Sequence, residues 1–484
     1  MSETVLERLT KAYLTYTPQG DAQLLAKAYE FSKHAHAAQR RANQDPYFTH
    51  CVAVAETLIE YRLDLATICA GLLHDVIEDT HVTYDEIKHE FTVEVADLVQ
   101  GVTKLDRLRF SDTSSFQAEN WRKMLYATAK DVRVILIKIS DRLHNIKTIR
   151  HLESTTQQRI AQETIHLYAP MAEQLGMYAL KSDLEDHAFA VLNPSTYAQI
   201  GAELERGLAA RRQYLDEITH ALEERLTALN VPMRFMSRPK NIYAIYLKMQ
   251  RQNKTLPEIE DAMALRIVTD TVANCYAILG EVHSQLKPVP DSFTDYIAHP
   301  KPNLYQSLHT TVYGPDNKIV EVQVRTEEMH RRAEHGIAAH WRYKMGGARR
   351  SGDKELETRL DWLRECLEWL QDLKNPEEFM ESLKTELKTY QIFVFTPKKD
   401  VKALPENSTP IDFAFAVHTD IGCRCTGAKV NGKMVKLDYR LKSGDTCEIQ
   451  TRKNAKPNKE WLEFVKSARA RSRIRRSLKN GKHA

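Results

Sequence analysis

A chain of 484 residues, 28% charged and 42% hydrophobic, is long enough for about three domains, each with its own core, and has the composition of a soluble globular protein. A net charge of +4 excludes a chain that is basic throughout, and seven cysteines, odd in number and without Cys-x-x-Cys spacing, exclude a disulfide framework or a structural zinc cluster. No basic segment followed by an apolar one opens the sequence and no apolar run approaches the length of a bilayer span, so a cytoplasmic protein with no membrane partner is expected.

From Leu24 to about Asn193 the pattern is helical, with few glycines, long amphipathic segments such as 93–99 and 160–175, and no strand alternation. This predicts an all-α bundle. Within it, Asp45-Pro46-Tyr47-Phe48-Thr49-His50 places a histidine directly before an apolar run. The stretch from Ala70 to Thr80 then puts His74, Asp75, Glu78 and Asp79 on an apolar helix, where that spacing brings them towards one face. Further on, a strongly apolar segment leads into Ser140-Asp141-Arg142-Leu143-His144-Asn145, with Asp141 and Asn145 one helical turn apart. Buried carboxylates need hydrogen bonds, an ionic partner or a metal. His50, His74, Asp75 and Asp141 therefore form a candidate shell for Mn²⁺, Fe or Zn²⁺, with positions left for water and a phosphate oxygen. Taken alone, His74-Asp75 reads equally well as a solvated helix end. His34, His36 and His144 read as surface or core histidines rather than further ligands.

After Pro194 a long helix (198–229) leads into an α/β unit, with strands expected at 264–269, 308–313 and 319–325 and helices at 242–252 and 271–286. In Ile319-Val320-Glu321-Val322-Gln323-Val324-Arg325 the alternation puts the valines on the core face and Glu321, Gln323 and Arg325 on the open one. Asp261 offers a second carboxylate, and two such groups converging could hold Mg²⁺ on a triphosphate. Arg238, Lys240, Lys248, Arg266, Lys301, Tyr305, Gln306 and His309 are of the types that neutralise phosphates and stack or bond a base, although each singly is more often a surface residue.

Residues 346–388 read as a charged helical pair with Trp362, Leu363, Leu367, Trp369 and Leu370 on an apolar face. Residues 391–450 read as short strands with tight turns around one small helix. Beyond Glu463 the chain carries Lys466, Arg469, Arg471, Arg473, Arg475, Arg476, Lys479 and Lys482 and no acid, a run that is usually a solvated tail but also suits phosphate contacts to RNA.

The pattern His50, His74-Asp75, Asp141 resembles the HD family of metal phosphohydrolases. The strings Leu73-His74-Asp75-Val76-Ile77-Glu78-Asp79-Thr80, Gly101-Val102-Thr103-Lys104-Leu105 and Asp141-Arg142-Leu143-His144-Asn145 resemble one branch of it, the long RelA/SpoT-type enzymes that make and destroy (p)ppGpp. Ser237-Arg238-Pro239-Lys240-Asn241-Ile242-Tyr243 and Lys301-Pro302-Asn303-Leu304-Tyr305-Gln306-Ser307 resemble the synthetase domain of the same enzymes, and 391–450 their TGS module. The resemblance covers nearly the whole chain. It implies an HD-type helical bundle over 1–195, a nucleotidyltransferase-like α/β synthetase domain over 196–345, a helical connector over 346–389, a small β-grasp-like TGS domain over 390–452 and a basic segment over 453–484.

By that resemblance His50, His74, Asp75 and Asp141 hold Mn²⁺, Glu78 and Asp79 are the acid/base and water-orienting pair, Asn145 and Thr148 contact the nucleotide, and Arg41 meets the pyrophosphate. The implied reaction is release of the 3′-pyrophosphate of (p)ppGpp, leaving GDP or GTP. In the second domain Asp261 and Glu321 would bind Mg²⁺, with Glu321 helping to deprotonate the ribose 3′-hydroxyl. Arg238, Lys240 and Lys248 would clamp ATP, and Tyr305 would stack on guanine while pyrophosphate moves from ATP to GDP or GTP. His418 matches the histidine with which the TGS module contacts the 3′ end of tRNA, so tRNA and the ribosome are implied partners.

Three departures qualify the match. Arg40-Arg41-Ala42 stands where two basic residues usually occupy the register of Arg41-Ala42. Ser292-Phe293-Thr294-Asp295 stands where bifunctional members carry Arg-x-Lys-Asp and synthesis-only members Glu-x-Asp-Asp. Leu304 replaces the glycine before Tyr305 and opposes a positive φ there. A hydrolase with a degenerate synthetase half, or a tRNA- or ribosome-responsive regulator with residual catalysis, are the competing expectations.

Overall fold

The computed structural model describes residues 3–106, 114–239, 241–256, 263–301, 303–336, 363, 367, 375–387, 391–398 and 400–480. They group into two compact units, one drawn from Met1–Leu73 and Ile137–Arg359, the other from His74–Leu136 and Leu360–Ala484. Asp261 and Lys240 lie outside the described residues, as do Trp362, Trp369 and Leu370.

The first unit opens with helices Val5–Tyr16, Ala22–Ala35, Phe48–Glu60 and Leu65–Leu73. Their starts are set locally: Thr4 and Glu7 form a capping box, and Asp21 Oδ1 accepts from the N–H groups of Gln23 and Leu24. A Cβ on Gly71 would run into Leu58, so this glycine sets how closely two of the helices approach. The expected single helix over 160–175 is instead Ser154–Glu163, a π-helical turn Thr164–Tyr168, and Ala169–Gln174. Pro170 is the physical reason: it has no N–H to continue an α ladder, and a π turn absorbs the interruption without ending the helix.

Helix Tyr178–Leu192 follows, then Pro194–Leu226, which buries Leu215, Ile218, Leu222 and Leu226 against the sheet. That sheet comprises β1 (Met233–Pro239), β2 (Met263–Thr269), β3 (Thr294–Asp295), β4 (Leu308–Tyr313) and β5 (Ile319–Thr326), in spatial order β1-β2-β5-β4-β3. Only β2 and β5 run parallel, and β5 is central rather than an edge. Val320, Val322 and Val324 join Leu265, Ile267, Leu308 and Val312 in the core, as the alternation predicted. Arg325 departs from expectation. It shares a face with Glu321 and Gln323 but is only 1% exposed, because helix Glu327–His335 covers the end of β5 and supplies His330 and Glu334 as partners. The short strand pattern of Met233–Pro239 was not recognised as β1, since Arg234, Ser237 and Arg238 break its apolar alternation.

In the second unit, helices Val93–Asp106 and Ser114–Lys130 accompany helix Pro376–Leu387, with Arg122 stacked over Phe379 at 4.7 Å. The C-terminal module has a hairpin (Gln391–Phe395 with Val401–Pro405), a three-stranded sheet (Cys447–Thr451, Cys425–Val430, Lys433–Val435) and a parallel bridge between Phe395 and Thr446. Asn431 and Gly432, at φ 50° and 80°, make the two-residue turn that the Asn-Gly pair predicts. Two short helices, Pro410–Val417 and Thr419–Cys423, stand where one was expected.

The basic run is not simply a solvated tail. Ala470 and Ile474 of helix Ala468–Asn480 are fully buried in a cluster with Ile411, Phe415 and Trp461. Glu386 accepts from the Ala468 N–H at the start of that helix, and burial pushes its carboxyl up to about 7. Apolar residues at every fourth position fold the segment, while its arginines keep the rim. No helix among the described residues is long and apolar enough to cross a membrane.

Candidate active sites

His50 sits in the first turn of helix Phe48–Glu60 and Asp141 in helix Arg133–Lys147, and both are buried. His50 Nε2 lies 3.2 Å from Asp141 Oδ1, and Lys138 Nζ lies 3.0 Å from Asp141 Oδ2. Asn145 is tied on both sides: its Nδ2 donates to Asp141 Oδ1 and its Oδ1 accepts from Arg41 Nη2 at 2.8 Å. Arg41 Nη1 and His50 Nδ1 both meet His144 Nδ1, at 2.9 and 2.8 Å. Burial, then the neighbouring His50 and Arg41, push His144 down to about 3. Of the shifted basic pair, Arg41 therefore points at this network while Arg40 is exposed. Thr148 donates its hydroxyl to the His144 carbonyl at 2.9 Å.

The expected unbroken helix through His74 is interrupted. Leu65–Leu73 ends, His74-Asp75 form a turn, and Val76–Asp79 is a single helical turn carrying Glu78 and Asp79, both half-buried. Adjacent residues of a continuous helix diverge by about 100°. The break instead lets His74 Nε2 and Asp75 Oδ2 approach to 3.0 Å, with both side chains buried. The donor atoms of His50, His74 and Asp141 lie within 4.8 Å of one another, a set that could hold a divalent metal ion. Asp75, the fourth expected ligand, is not one of these three.

The open face of the five-stranded sheet borders a cavity of about 660 Å³ lined by Arg266, Lys301, Tyr305, His309, Gln323 and Arg325, among others. Tyr305 Oη and His309 Nε2 are 2.9 Å apart, His309 Nδ1 is 3.4 Å from Glu321 Oε1, and Gln323 Nε2 donates to the same oxygen at 3.0 Å. Lys301 Nζ lies over the rings of Tyr296 and Tyr305, at 4.8 and 5.3 Å. Burial lowers both Lys301 and His309 below their ordinary values. Arg266 donates to Glu334 at 3.0 Å. Gln306 and Lys248 are not among the lining residues: the Gln306 amide donates to the Ile297 carbonyl, and Lys248 lies on helix Ile242–Gln252. The Arg238 backbone pairs with Ala264 in β1 and β2.

Helix Tyr178–Leu192 forms another wall of this cavity, which sequence reasoning missed because its polar residues are spaced like an ordinary solvated face. Tyr178 packs edge-on to Tyr305 at 5.4 Å, and its hydroxyl meets Asn303 Nδ2. Asp186 accepts from the N–H groups of Ile242 and Tyr243, capping helix Ile242–Gln252 from a distant segment, while Glu185 accepts from Asn241 at 3.1 Å. Burial raises Glu185 to about 7 against the pull of Lys181. A carboxyl raised in the fold keeps its proton where the unfolded chain has lost it, so stability falls as pH rises from about 5 to 7. Thermal unfolding should show the Glu185→Gln variant gaining on the order of 1–3 kcal/mol relative to the parent between pH 5 and pH 8. A pH-independent difference would contradict this.

Three family models match along the chain: the HD domain at 28–178, the region found in RelA / SpoT proteins at 237–348 and the TGS domain at 392–451. A GTP pyrophosphokinase of Myxococcus xanthus is 47% identical over 98% of this chain and 62% of its own length. A guanosine-3′,5′-bis(diphosphate) 3′-pyrophosphohydrolase of Aquifex aeolicus is 44% identical over 99% of this chain and 68% of its own length. The chain belongs to the RelA/SpoT family. A bifunctional (p)ppGpp synthase/hydrolase of Escherichia coli K12 is 43% identical over 98% and 68%. The chain thus spans about three-fifths to two-thirds of the length of the curated relatives it matches.

Within this RelA/SpoT chain the departures acquire structural content. Ser292 Oγ donates to the carbonyls of Val289 and Thr311, which fastens the loop to β4 where bifunctional members carry an arginine. Leu304 does adopt a positive φ, 61°, contrary to the expectation that its side chain opposes one. The turn is held from both sides, by Leu304 N–H to the Lys301 carbonyl at 2.7 Å and by Tyr305 N–H to Asn303 Oδ1. A non-glycine residue in this region costs about 1–2 kcal/mol. Leu304→Gly should therefore leave stability within about 1 kcal/mol, its entropy cost offsetting the relief, whereas β-branched Leu304→Val should lose about 1–2 kcal/mol. Denaturant midpoints for the two variants check this ordering. His418 is exposed and its Nδ1 accepts from the Asp420 N–H at 3.2 Å, capping Thr419–Cys423.

Proposed function

We propose that the chain is a bifunctional alarmone enzyme of the cytoplasm. One site hydrolyses the 3′-pyrophosphate of (p)ppGpp to GDP or GTP plus pyrophosphate; the other transfers pyrophosphate from ATP to the 3′-hydroxyl of GDP or GTP, releasing AMP. The observation that carries the first half is the buried set His50, His74 and Asp141, whose donor atoms share one small space. A divalent ion there, Mn²⁺ by family resemblance, would supply Lewis-acid activation of water and neutralise pyrophosphate charge. Around it Asp75 adds a carboxylate, Glu78 and Asp79 hold and move the water proton, and Asn145 and Thr148 meet the nucleotide. Arg41 exchanges its contacts with His144 and Asn145 for the planar fork of a phosphate interaction.

In the second half Glu321 takes the proton of the attacking 3′-hydroxyl, and Tyr305 presents a ring face to guanine with Lys301 and His309 beside it. Arg266 and the basic residues Arg238, Lys240 and Lys248 neutralise the triphosphate, and Asp261 with Glu321 would hold Mg²⁺. The chain carries Ser292 and Thr294 in place of the charged pair of bifunctional members, and this favours a second reading, a hydrolase-dominant enzyme with slow synthesis. Chromatography of products from ATP plus GDP separates the two: steady ppGpp formation supports bifunctionality, and its absence leaves a hydrolase alone. Through His418 and the arginine rim of the last helix, the TGS module would read tRNA on the ribosome.

An enzyme that makes and destroys one molecule needs its sites coupled. The covalent path is 193–229, and the contacts of helix Tyr178–Leu192 with Tyr305 and Ile242 add a noncovalent one. Saturating ATP or GDP is expected to weaken ppGpp binding to Asp75→Asn protein by roughly 5–150-fold in calorimetry, and linkage makes the effect reciprocal. Equal affinity with and without nucleotide would mean that the halves are merely tethered.

A further inference from the structure

Arg41 carries only donors, so the His144 Nδ1 that meets Arg41 Nη1 at 2.9 Å is an acceptor and holds no proton. His50 Nδ1 lies 2.8 Å from that same atom and must be the donor. A proton on His50 Nδ1 leaves the Nε2 lone pair facing Asp141 Oδ1 at 3.2 Å. Two electron-rich atoms at that separation require a proton or a cation between them. Arg41, a donor only, thereby sets the tautomers of both histidines through the hydrogen-bond network.

We infer that His144 is a positioning residue of the hydrolase site: one lone pair, on Nδ1, holds His50 in the tautomer that offers Nε2 to a divalent ion and holds the Arg41 guanidinium beside Asn145. The inference rests on the metal-site reading. It explains why a histidine that ligates nothing stands three residues after Asp141: on a helix that spacing returns it to nearly the same face, beside His50 rather than in front of it. His144 thereby links metal affinity to the arm that would receive pyrophosphate, so loosening Arg41 on substrate binding leaves the whole lone pair to His50 and firms that tautomer.

The test compares two replacements of similar volume in the full chain after chelator treatment, titrated calorimetrically with Mn²⁺ alone. His144→Gln keeps an acceptor and should bind Mn²⁺ within about 3-fold of the parent, whereas His144→Leu keeps only packing and should bind roughly 10–100-fold more weakly. Equal affinities for the two variants would overturn the inference. A parent that binds no Mn²⁺ would overturn the metal-site reading instead. A ¹⁵N measurement on the parent loaded with diamagnetic Zn²⁺ needs no variant and covers the case in which His144→Leu fails to fold: His50 should carry its proton on Nδ1 and its lone pair on Nε2, and the reverse would contradict the assignment of His144.

Discussion

Asp75→Asn protein is expected to break down ppGpp at least about three orders of magnitude more slowly while synthesis from ATP and GDP with Mg²⁺ continues, and chelator treatment of the parent should stop hydrolysis to the same extent. Asp75 is 1% exposed and its Oδ2 lies 3.0 Å from His74 Nε2. The amide keeps the volume but removes the negative charge that offsets a buried cation, and it puts a donor where a lone pair is required. Lewis-acid stabilisation of a pyrophosphate transition state is worth several kcal/mol, which converts to that loss in rate. The variant also tests a specific tension, because Asp75 is not among the three residues whose donor atoms cluster within 4.8 Å. Hydrolysis at the parent rate, assayed by nucleotide chromatography, would remove Asp75 from the metal shell.

Glu321→Gln is expected to reduce synthesis by about two to four orders of magnitude and to leave hydrolysis unchanged. Glu321 is held in the middle of the sheet, opposite Ala264 on one side and Thr311 on the other. Its Oε1 faces His309 Nδ1 and accepts from Gln323, so the carboxylate is already oriented by neighbours on two strands. Glutamine preserves the shape and removes the base. The expected split between the two activities follows from residues that belong to different sites. Synthesis surviving in this variant would transfer the base role elsewhere, and a parallel fall in hydrolysis would point to a fold defect.

Periodicity made most of the fold legible. The valines of β5 and the helix Ile242–Gln252 lie where alternation and the 3.6-residue repeat put them, because each faces a single core and its pattern reports that core. Three features were invisible for separate reasons, in each case because an element's own pattern does not report what packs on or beside it. Arg325 is buried by Glu327–His335, Asp186 caps a helix 56 residues away, and Pro170 acts through a π turn that no local propensity announces. The hydrolase site was half readable. Histidines and acids beside apolar runs pointed to His50, His74 and Asp141, whose donor atoms do cluster, but spacing alone could not tell that His144 meets His50 and Arg41 or that the helix breaks at His74-Asp75. Leu304 shows the limit of residue preference, since a turn fastened on both flanks holds a positive φ that the side chain resists.

The central claim is that buried His50, His74 and Asp141 serve release of pyrophosphate from (p)ppGpp. The measurement that tests it most directly is product analysis of the parent protein incubated with ppGpp and Mn²⁺. The account predicts GDP and pyrophosphate in equal amounts, both abolished by chelator. Intact ppGpp, or orthophosphate in place of pyrophosphate, would contradict it.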